Sequence, residues 1–283
     1  MYVNLDKMLR SAGRDRFAVG AFNMVNYLTA LAIVKAAEEL RSPVIIQTSV
    51  ATVNQIGVKE TIRMLRGIVE DSTVPAAVHL DHCTDPDLVI KCIDLGWSSV
   101  MIDLSKASFQ TNIEITSDIV RYAANKNVSV EGELGAIFGV EDDIKVDDSE
   151  ACLATPEASN EYVMRTGVSA FAPAIGTAHG LYKGEPKVDY GLFKSIADTV
   201  NCALVIHGGT GLPAEAFRRL IALGASKINV STAVKIAYCQ GMHGYMKEHP
   251  MENNPLRLDK FVLENVKGCV KEYINVFGST DKA

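Results

Sequence analysis

The sequence predicts a closed (β/α)8 barrel with a helical extension at its carboxyl end. Three observations carry that prediction. Short apolar segments alternate with amphipathic helical stretches eight times along 283 residues. The segments are almost continuously apolar, so both of their faces are covered, as in a parallel sheet flanked by helices. Eight such units in this length suit a closed barrel better than an open doubly wound sheet, and no GxGxxG run opens the first unit.

The elements follow in order. Residues 1–15 read as a short helix and turn with Leu5, Met8 and Leu9 on one side. Strand one is Phe17–Asn23. A helix over Asn26–Leu40 repeats Ala30, Ile33, Val34 and Ala37 at helical spacing. Strand two, Pro43–Ser49, leads into a polar loop and then a helix carrying Ile62, Leu65, Ile68 and Val69. Strand three is Ala76–Asp81, followed by a helix over Pro86–Leu95. Strand four is Ser98–Asp103, followed by a helix over Thr111–Ala124, and strand five is Val128–Leu134. The stretch Gly135–Thr155, with Glu141, Asp142, Asp143, Asp147 and Asp148, breaks the rhythm as a long acidic loop, a candidate active-site lid. Strands six, seven and eight are Ala170–Ile175, Ala203–His207 and Lys227–Val230. A helical tail begins near Thr232, is irregular over 241–260, and closes with a helix over Leu263–Val276. One domain spanning 1–283 is expected.

Composition narrows the function. Hydrophobic residues make up 48% and charged residues 22%, ordinary for a soluble enzyme. A formal charge of −6 leaves no basic footprint for nucleic acid. Six cysteines lie without a CxxC pair, several of them (Cys92, Cys202, Cys239, Cys269) in apolar settings, so reduced and mostly buried thiols are expected. No secretory pattern and no membrane-length run stands out, so a cytoplasmic protein without membrane attachment is expected.

In a barrel the downstream ends of all strands meet at one face, so residues distant in sequence converge there. His82, His179 and His207 fall at the downstream ends of strand-like segments three, six and seven. Three neutral imidazoles satisfy a catalytic zinc and leave one position open for water or substrate. His79, earlier in its strand, and His243 and His249, in the tail, read as ordinary histidines. Asp81 adjoins a proposed ligand, where a direct charge role and an acid/base role are both open. Asp103 closes strand four, and Glu131 and Glu133 share one side of strand five, where at least one serves as polar filling or supports a ligand. Glu141 on the acidic loop reads as a solvated acid or as a base that enters after substrate. Gly208-Gly209-Thr210-Gly211 and Asn229-Val230-Ser231-Thr232 follow strands seven and eight, where barrels often hold phosphate on backbone N–H groups; Gly180 and Lys183 add a donor and a positive charge. The residues alone point to a zinc barrel acting on a small phosphorylated substrate.

From Gly20 to Thr280 the chain resembles the class II, metal-dependent ketose-bisphosphate aldolases of the fructose- and tagatose-bisphosphate type. The resemblance is carried by His79-Leu-Asp-His82, Met101-Ile-Asp103, Glu131-Gly-Glu-Leu-Gly135, Pro173–Gly180, Lys183-Gly-Glu-Pro186, His207–Gly211 and Lys227–Thr232. It implies a zinc-dependent retro-aldol cleavage of fructose or tagatose 1,6-bisphosphate to dihydroxyacetone phosphate and glyceraldehyde 3-phosphate. It implies that His82, His179 and His207 hold zinc and that Asp81 is the acid/base at the aldehyde oxygen. Glu141 would exchange the proton of the triose carbon. Asp103 and Glu133 would lie near a second divalent position, and a monovalent cation would sit beside the phosphate. Gly180, Gly208–Thr210 and Asn229–Thr232 would bind the triose phosphate, Ser49 would touch the far end of the substrate, and a homodimer or homotetramer is implied.

The chain departs from the family pattern at Asp103-Leu-Ser-Lys106, at Phe138-Gly-Val140 and at Asn254-Pro-Leu-Arg257. These departures leave the triose-phosphate half intact and open the aldehyde half, so 6-deoxy-6-sulfofructose 1-phosphate is an alternative substrate. A metal-dependent sugar-phosphate isomerase or epimerase would use the same enediolate without breaking a carbon–carbon bond, and a non-catalytic sensor would keep the pocket without the acids.

Overall fold

The computed structural model describes every residue except 136, 142–143, 147–152 and 183. In chain order the strands are β1 (Val19–Asn23), β2 (Val44–Ser49), β3 (Ala76–Cys83), β4 (Ser99–Ile102), β5 (Ser129–Leu134) and β6 (Phe138–Glu141). They continue as β7 (Ile144–Val146), β8 (Ala170–Pro173), β9 (Ala178–His179), β10 (Ala203–Ile206) and β11 (Ala225–Val230). Eight of them close a parallel barrel in the order β1-β11-β10-β8-β5-β4-β3-β2. These match the eight expected strands to within a few residues. The remaining three, β7-β6-β9, form a small separate sheet that sequence periodicity does not reveal.

Strand geometry divides the barrel residues into two sets, because alternate side chains face opposite ways. Ala18, Phe22, Val44, Ile46, Val78, Leu80, Val100, Ile102, Phe171, Ile206 and Ile228 pack outward into a layer shared with the surrounding helices. Val19, Ala21, Ile45, Ala77, Ala170, Ala172 and Val205 face inward. Small inward residues leave room at the amino-terminal mouth, and helix α1 (Leu5–Asp15) fills it with Leu5, Met8, Leu9 and Ala12. Further along the same inward faces the residues turn polar: Asn23, Gln47, His79, Asp81, Glu131, Glu133, Lys227 and Asn229 are all buried. The interior is therefore apolar at one end and ionisable at the other.

Several helix limits differ from expectation for identifiable reasons. The stretch after β2 is a helix, Val50–Ile56, because the Ser49 side chain accepts from the Thr52 amide and caps it. The tail is not irregular from 241. One helix runs Thr232–Glu248 and the next Pro255–Val276, the latter opened by Asn254 as cap and Pro255 at its first position. Gly241 explains the continuity: a Cβ there would lie 3.2 Å from Val262 Cα, so the two helices cross closely at a residue of poor helix propensity. Close packing overrides propensity. Cys239 is exposed, contrary to expectation, while Cys83 and Cys92 are buried. Among the described residues no helix is long and apolar enough to cross a membrane.

Candidate active site

The site is built on an irregularity in β3. Against β4, Leu80 pairs with Val100 and Cys83 with Ile102, so Asp81 and His82 together oppose the single residue Met101. This is a β-bulge, which bends a strand and re-aims a side chain. By alternation Asp81 faces inward with Ala77 and His79, and His82 would face the helices. Its φ of 47° turns it instead. A left-handed backbone at a non-glycine residue costs on the order of 1–3 kcal/mol and persists where the surroundings over-determine it. Two adjacent polar side chains are thereby delivered to one place.

His82, His179 and His207 come together there. Their offered ring nitrogens all lie within 4.8 Å of one another, as do donor atoms of His82, Asp103 and Glu133. All five residues are buried. His82 Nδ1 and Asp103 Oδ2 are 2.8 Å apart, which leaves Nε2 as the atom His82 can offer to a cation. His207 Nε2 lies 2.8 Å from Glu131 Oε1, which leaves Nδ1 for the same purpose. Carboxylates that accept the outer N–H of an imidazole fix its tautomer and orientation in metal sites. Burial opposes the charged form of His82, yet Asp81 and Asp103 outweigh it and raise the pKa well above the ordinary imidazole value. Burial and the His82 charge also oppose His207, but the carboxylates of Glu131 and Glu133 hold it at about 9. His179 goes the other way, pushed well below its ordinary value by burial and by the charges of the other two. Glu133 is raised by burial and by the Asp103 charge.

These features fit a divalent cation. His207 Nδ1 and Glu133 Oε2 are buried and make no hydrogen bond, although they face each other at 3.2 Å. Buried polar atoms left without hydrogen bonds are costly in a native fold unless something else engages them.

A chain of buried polar groups supports Asp81 from below. Asn23 donates to Asp81 Oδ2 at 2.8 Å and Asn229 donates to Oδ1 at 3.2 Å. Gln47 in turn donates to Asn23 Oδ1 at 2.8 Å. Burial alone would raise the Asp81 pKa, but the charges on His82, His207 and Lys227 lower it, so the carboxylate form is favoured. His79 is fully buried, its Nδ1 is 2.7 Å from Ser99 Oγ, and burial lowers its pKa to about 3, as for an ordinary core histidine.

The loops after β10 and β11 lie against one another. The Gly209 amide donates to the Asn229 carbonyl at 3.1 Å, and Thr210 Oγ1 accepts from the Ala233 amide at 3.2 Å. Gly208 has φ 70°, and a Cβ there would fall 2.3 Å from the Ala178 carbonyl oxygen, so only glycine lets this loop touch β9. Tyr182 Oη closes the contact by accepting from the Ala178 amide and donating to the Gly208 carbonyl, each at 3.0 Å. Ser231 Oγ and Thr177 Oγ1 are buried without hydrogen-bond partners beside these segments in sequence.

The expected residues thus fall as follows. Asp81, His82, His207, Asp103 and Glu133 are brought together. His179 joins them from β9, not from the end of a barrel strand: β8 stops at Pro173, and β9 pairs with β6, Gly139 opposite His179. Glu141 ends β6, on the strand beside His179, and its side chain lies outside the described residues, as does Lys183. Ser49 is the strand neighbour of Asp81. The Val230 side chain faces the helices, so only its backbone is available to the site. Asn23, Gln47 and Lys227 were not singled out by sequence reasoning. Their signal was available as polar residues on the inward parity of otherwise apolar strands.

Comparison with known proteins agrees with this geometry. The family model "Fructose-bisphosphate aldolase class-II" matches residues 3–282. A fructose-bisphosphate aldolase of Geobacillus stearothermophilus is 40% identical over 99% of this chain and 98% of its own. A sulfofructosephosphate aldolase of Alkalicoccus urumqiensis is 37% identical over 100% and 98%. The D-tagatose-1,6-bisphosphate aldolase subunit GatY of Klebsiella oxytoca is 38% identical over 98% and 97%. Membership on this scale decides for a lyase over an isomerase or a sensor. The chain belongs to the class II fructose-bisphosphate aldolase family and is a metal-dependent carbon–carbon lyase acting on a phosphorylated ketose.

Proposed function

We propose that this chain, one domain over 1–283, reversibly cleaves fructose or tagatose 1,6-bisphosphate to dihydroxyacetone phosphate and glyceraldehyde 3-phosphate, with zinc as its metal. The observation that carries this reading is the bulge that sets the Asp81 carboxylate beside a three-histidine cluster. Three buried imidazole donors suit zinc better than magnesium or calcium, which prefer oxygen. A zinc ion held by His82, His179 and His207 would supply Lewis-acid polarisation of the ketose carbonyl.

Asp81 then takes the proton of the C4 hydroxyl as the C3–C4 bond breaks. Its two oxygens are already held by Asn23 and Asn229, so it meets the substrate without reorganising. Glu141, two residues beyond the position opposite His179, returns a proton to C3 to complete dihydroxyacetone phosphate. Gly180, Lys183, Gly208, Gly209, Thr210, Asn229, Val230, Ser231 and Thr232 hold the triose phosphate, supported by the buried hydroxyl of Ser231 that has no hydrogen-bond partner. Ser49, beside Asp81 in the sheet, contacts the aldehyde half. Asp103 and Glu133, with His82, offer a second cation position, and a monovalent cation beside the phosphate is part of the same reading. A cytoplasmic homodimer or homotetramer is proposed.

The similarity to the Alkalicoccus urumqiensis protein favours a second substrate reading, 6-deoxy-6-sulfofructose 1-phosphate with 3-sulfolactaldehyde as product. A coupled assay for dihydroxyacetone phosphate on the two bisphosphates and the sulfosugar phosphate, with zinc at full occupancy, tests both. We expect the highest kcat/KM on a bisphosphate. Preference for the sulfosugar would exchange the two readings, and no triose phosphate from any of them would sink both.

A further inference from the structure

We propose that Lys227 is a positioning residue: it fixes the amide of Asn229 in the one orientation that holds Asp81 ready for proton transfer. The proposal rests on the role of Asp81 given above. Lys227 lies in β11, faces the barrel interior and is completely buried. A lysine in such a place persists only when paired. Its Nζ is 2.8 Å from Glu131 Oε2 and 2.8 Å from Asn229 Oδ1.

The second contact carries the inference. A primary amide has one accepting and one donating end, and the two are nearly the same shape. An ammonium can only donate, so Asn229 must give Lys227 its oxygen. The amide nitrogen is then committed to the other side, where it donates to Asp81 Oδ1. The reversed amide would set an oxygen against the Asp81 carboxylate and an N–H against the ammonium, unfavourable at both ends. Lys227 therefore decides the sense of a hydrogen bond it does not make, one residue removed from the reacting group. Glu131 anchors the ammonium and is itself oriented by His207 at its other oxygen.

The alternative is that Lys227 merely neutralises Glu131. Replacing a buried ion pair by neutral residues of similar size is often harmless or stabilising to the fold, so on that alternative any loss in the neutral pair comes through the contact of Glu131 with His207 and persists in full when the Asn229 amide is absent. The test is the double variant Lys227→Met/Glu131→Gln, which leaves no unpaired buried charge, made in the full chain and loaded with zinc. With Tm and zinc stoichiometry matching wild type, we expect kcat to fall about a hundredfold and KM to stay within about threefold. In an Asn229→Ala background the same pair should cost less than about threefold more, because the amide it orients is gone. A crystal structure of the pair should show Asn229 turned away from Asp81. Wild-type kcat in the pair, a loss that multiplies with Asn229→Ala, or an unchanged amide would overturn the role of Lys227. Wild-type protein that cleaves no ketose phosphate would instead overturn the reading of the reaction.

Discussion

Asp103 acts on the proposed zinc position through another residue. Its Oδ2 lies 2.8 Å from His82 Nδ1, and Ser105 donates to its other oxygen from both amide and hydroxyl. Burial would raise its pKa, but these hydrogen bonds and the His82 charge hold it far below the carboxylate range. Asp103→Ala frees the His82 ring, and we expect zinc affinity to fall about 10- to 100-fold, measured by competition with a chelating dye. His207 supplies a pH dependence. Its pKa in the metal-free protein is raised to about 9, so its contribution to stability is fully present below about 6.5 and is lost as pH rises through 9. Zinc binds the neutral ring and must displace that proton. Apparent zinc affinity is therefore expected to climb from pH 6 to 9, by calorimetry, while the stability of the metal-free protein falls over the same interval. A flat affinity across that range would remove the charge on His207 from the account.

Elements explain which parts of the site were legible. Asp81, His207 and Asp103 sit where period-two counting along apolar strands leads, so convergence at one barrel mouth was readable from the sequence. His82 joins the cluster although its parity is wrong. Alternation directs it outward, and only the bulge opposite Met101 and a positive φ return it to the site. His179 was read as the end of a barrel strand, whereas it rides on the two-residue β9, held by β6 and by the loop after β10. Two-residue pairings carry no periodic signal, and that is why the small sheet was invisible. The contact between Gly208 and β9 gives a test at this scale. Gly208→Ala places a Cβ 2.3 Å from the Ala178 oxygen at a φ unsuited to alanine, so β9 must shift and carry His179 with it. We expect kcat/KM to drop about a hundredfold together with loss of bound zinc, checked by metal analysis of the purified variant.

At the scale of the molecule, the barrel was predicted from eight repeats of one unit, and its success follows from burial. A parallel sheet covered on both faces writes near-continuous apolar runs into the sequence. The helical extension was half legible: the expected interruption over 241–260 is confined to 249–254, because contact of Gly241 with Val262 and Asn265 outweighs weak local propensity. The same reasoning separates stability from chemistry along the barrel axis. Leu9, 1% exposed, fills the amino-terminal mouth among Val19, Ala77 and Val205, far along the strands from the polar layer. Leu9→Ala is expected to lower unfolding free energy by about 2–5 kcal/mol in urea titration while leaving kcat within about twofold.

The plug formed by α1, with the packed side chains above it, closes the amino-terminal mouth of the barrel. With that mouth closed, the phosphorylated ketose and both fragments of its cleavage pass through the polar end of the barrel. In the reaction proposed above, the half held by the loops after β10 and β11 would be the last to leave, and in the synthetic direction the first to be seated.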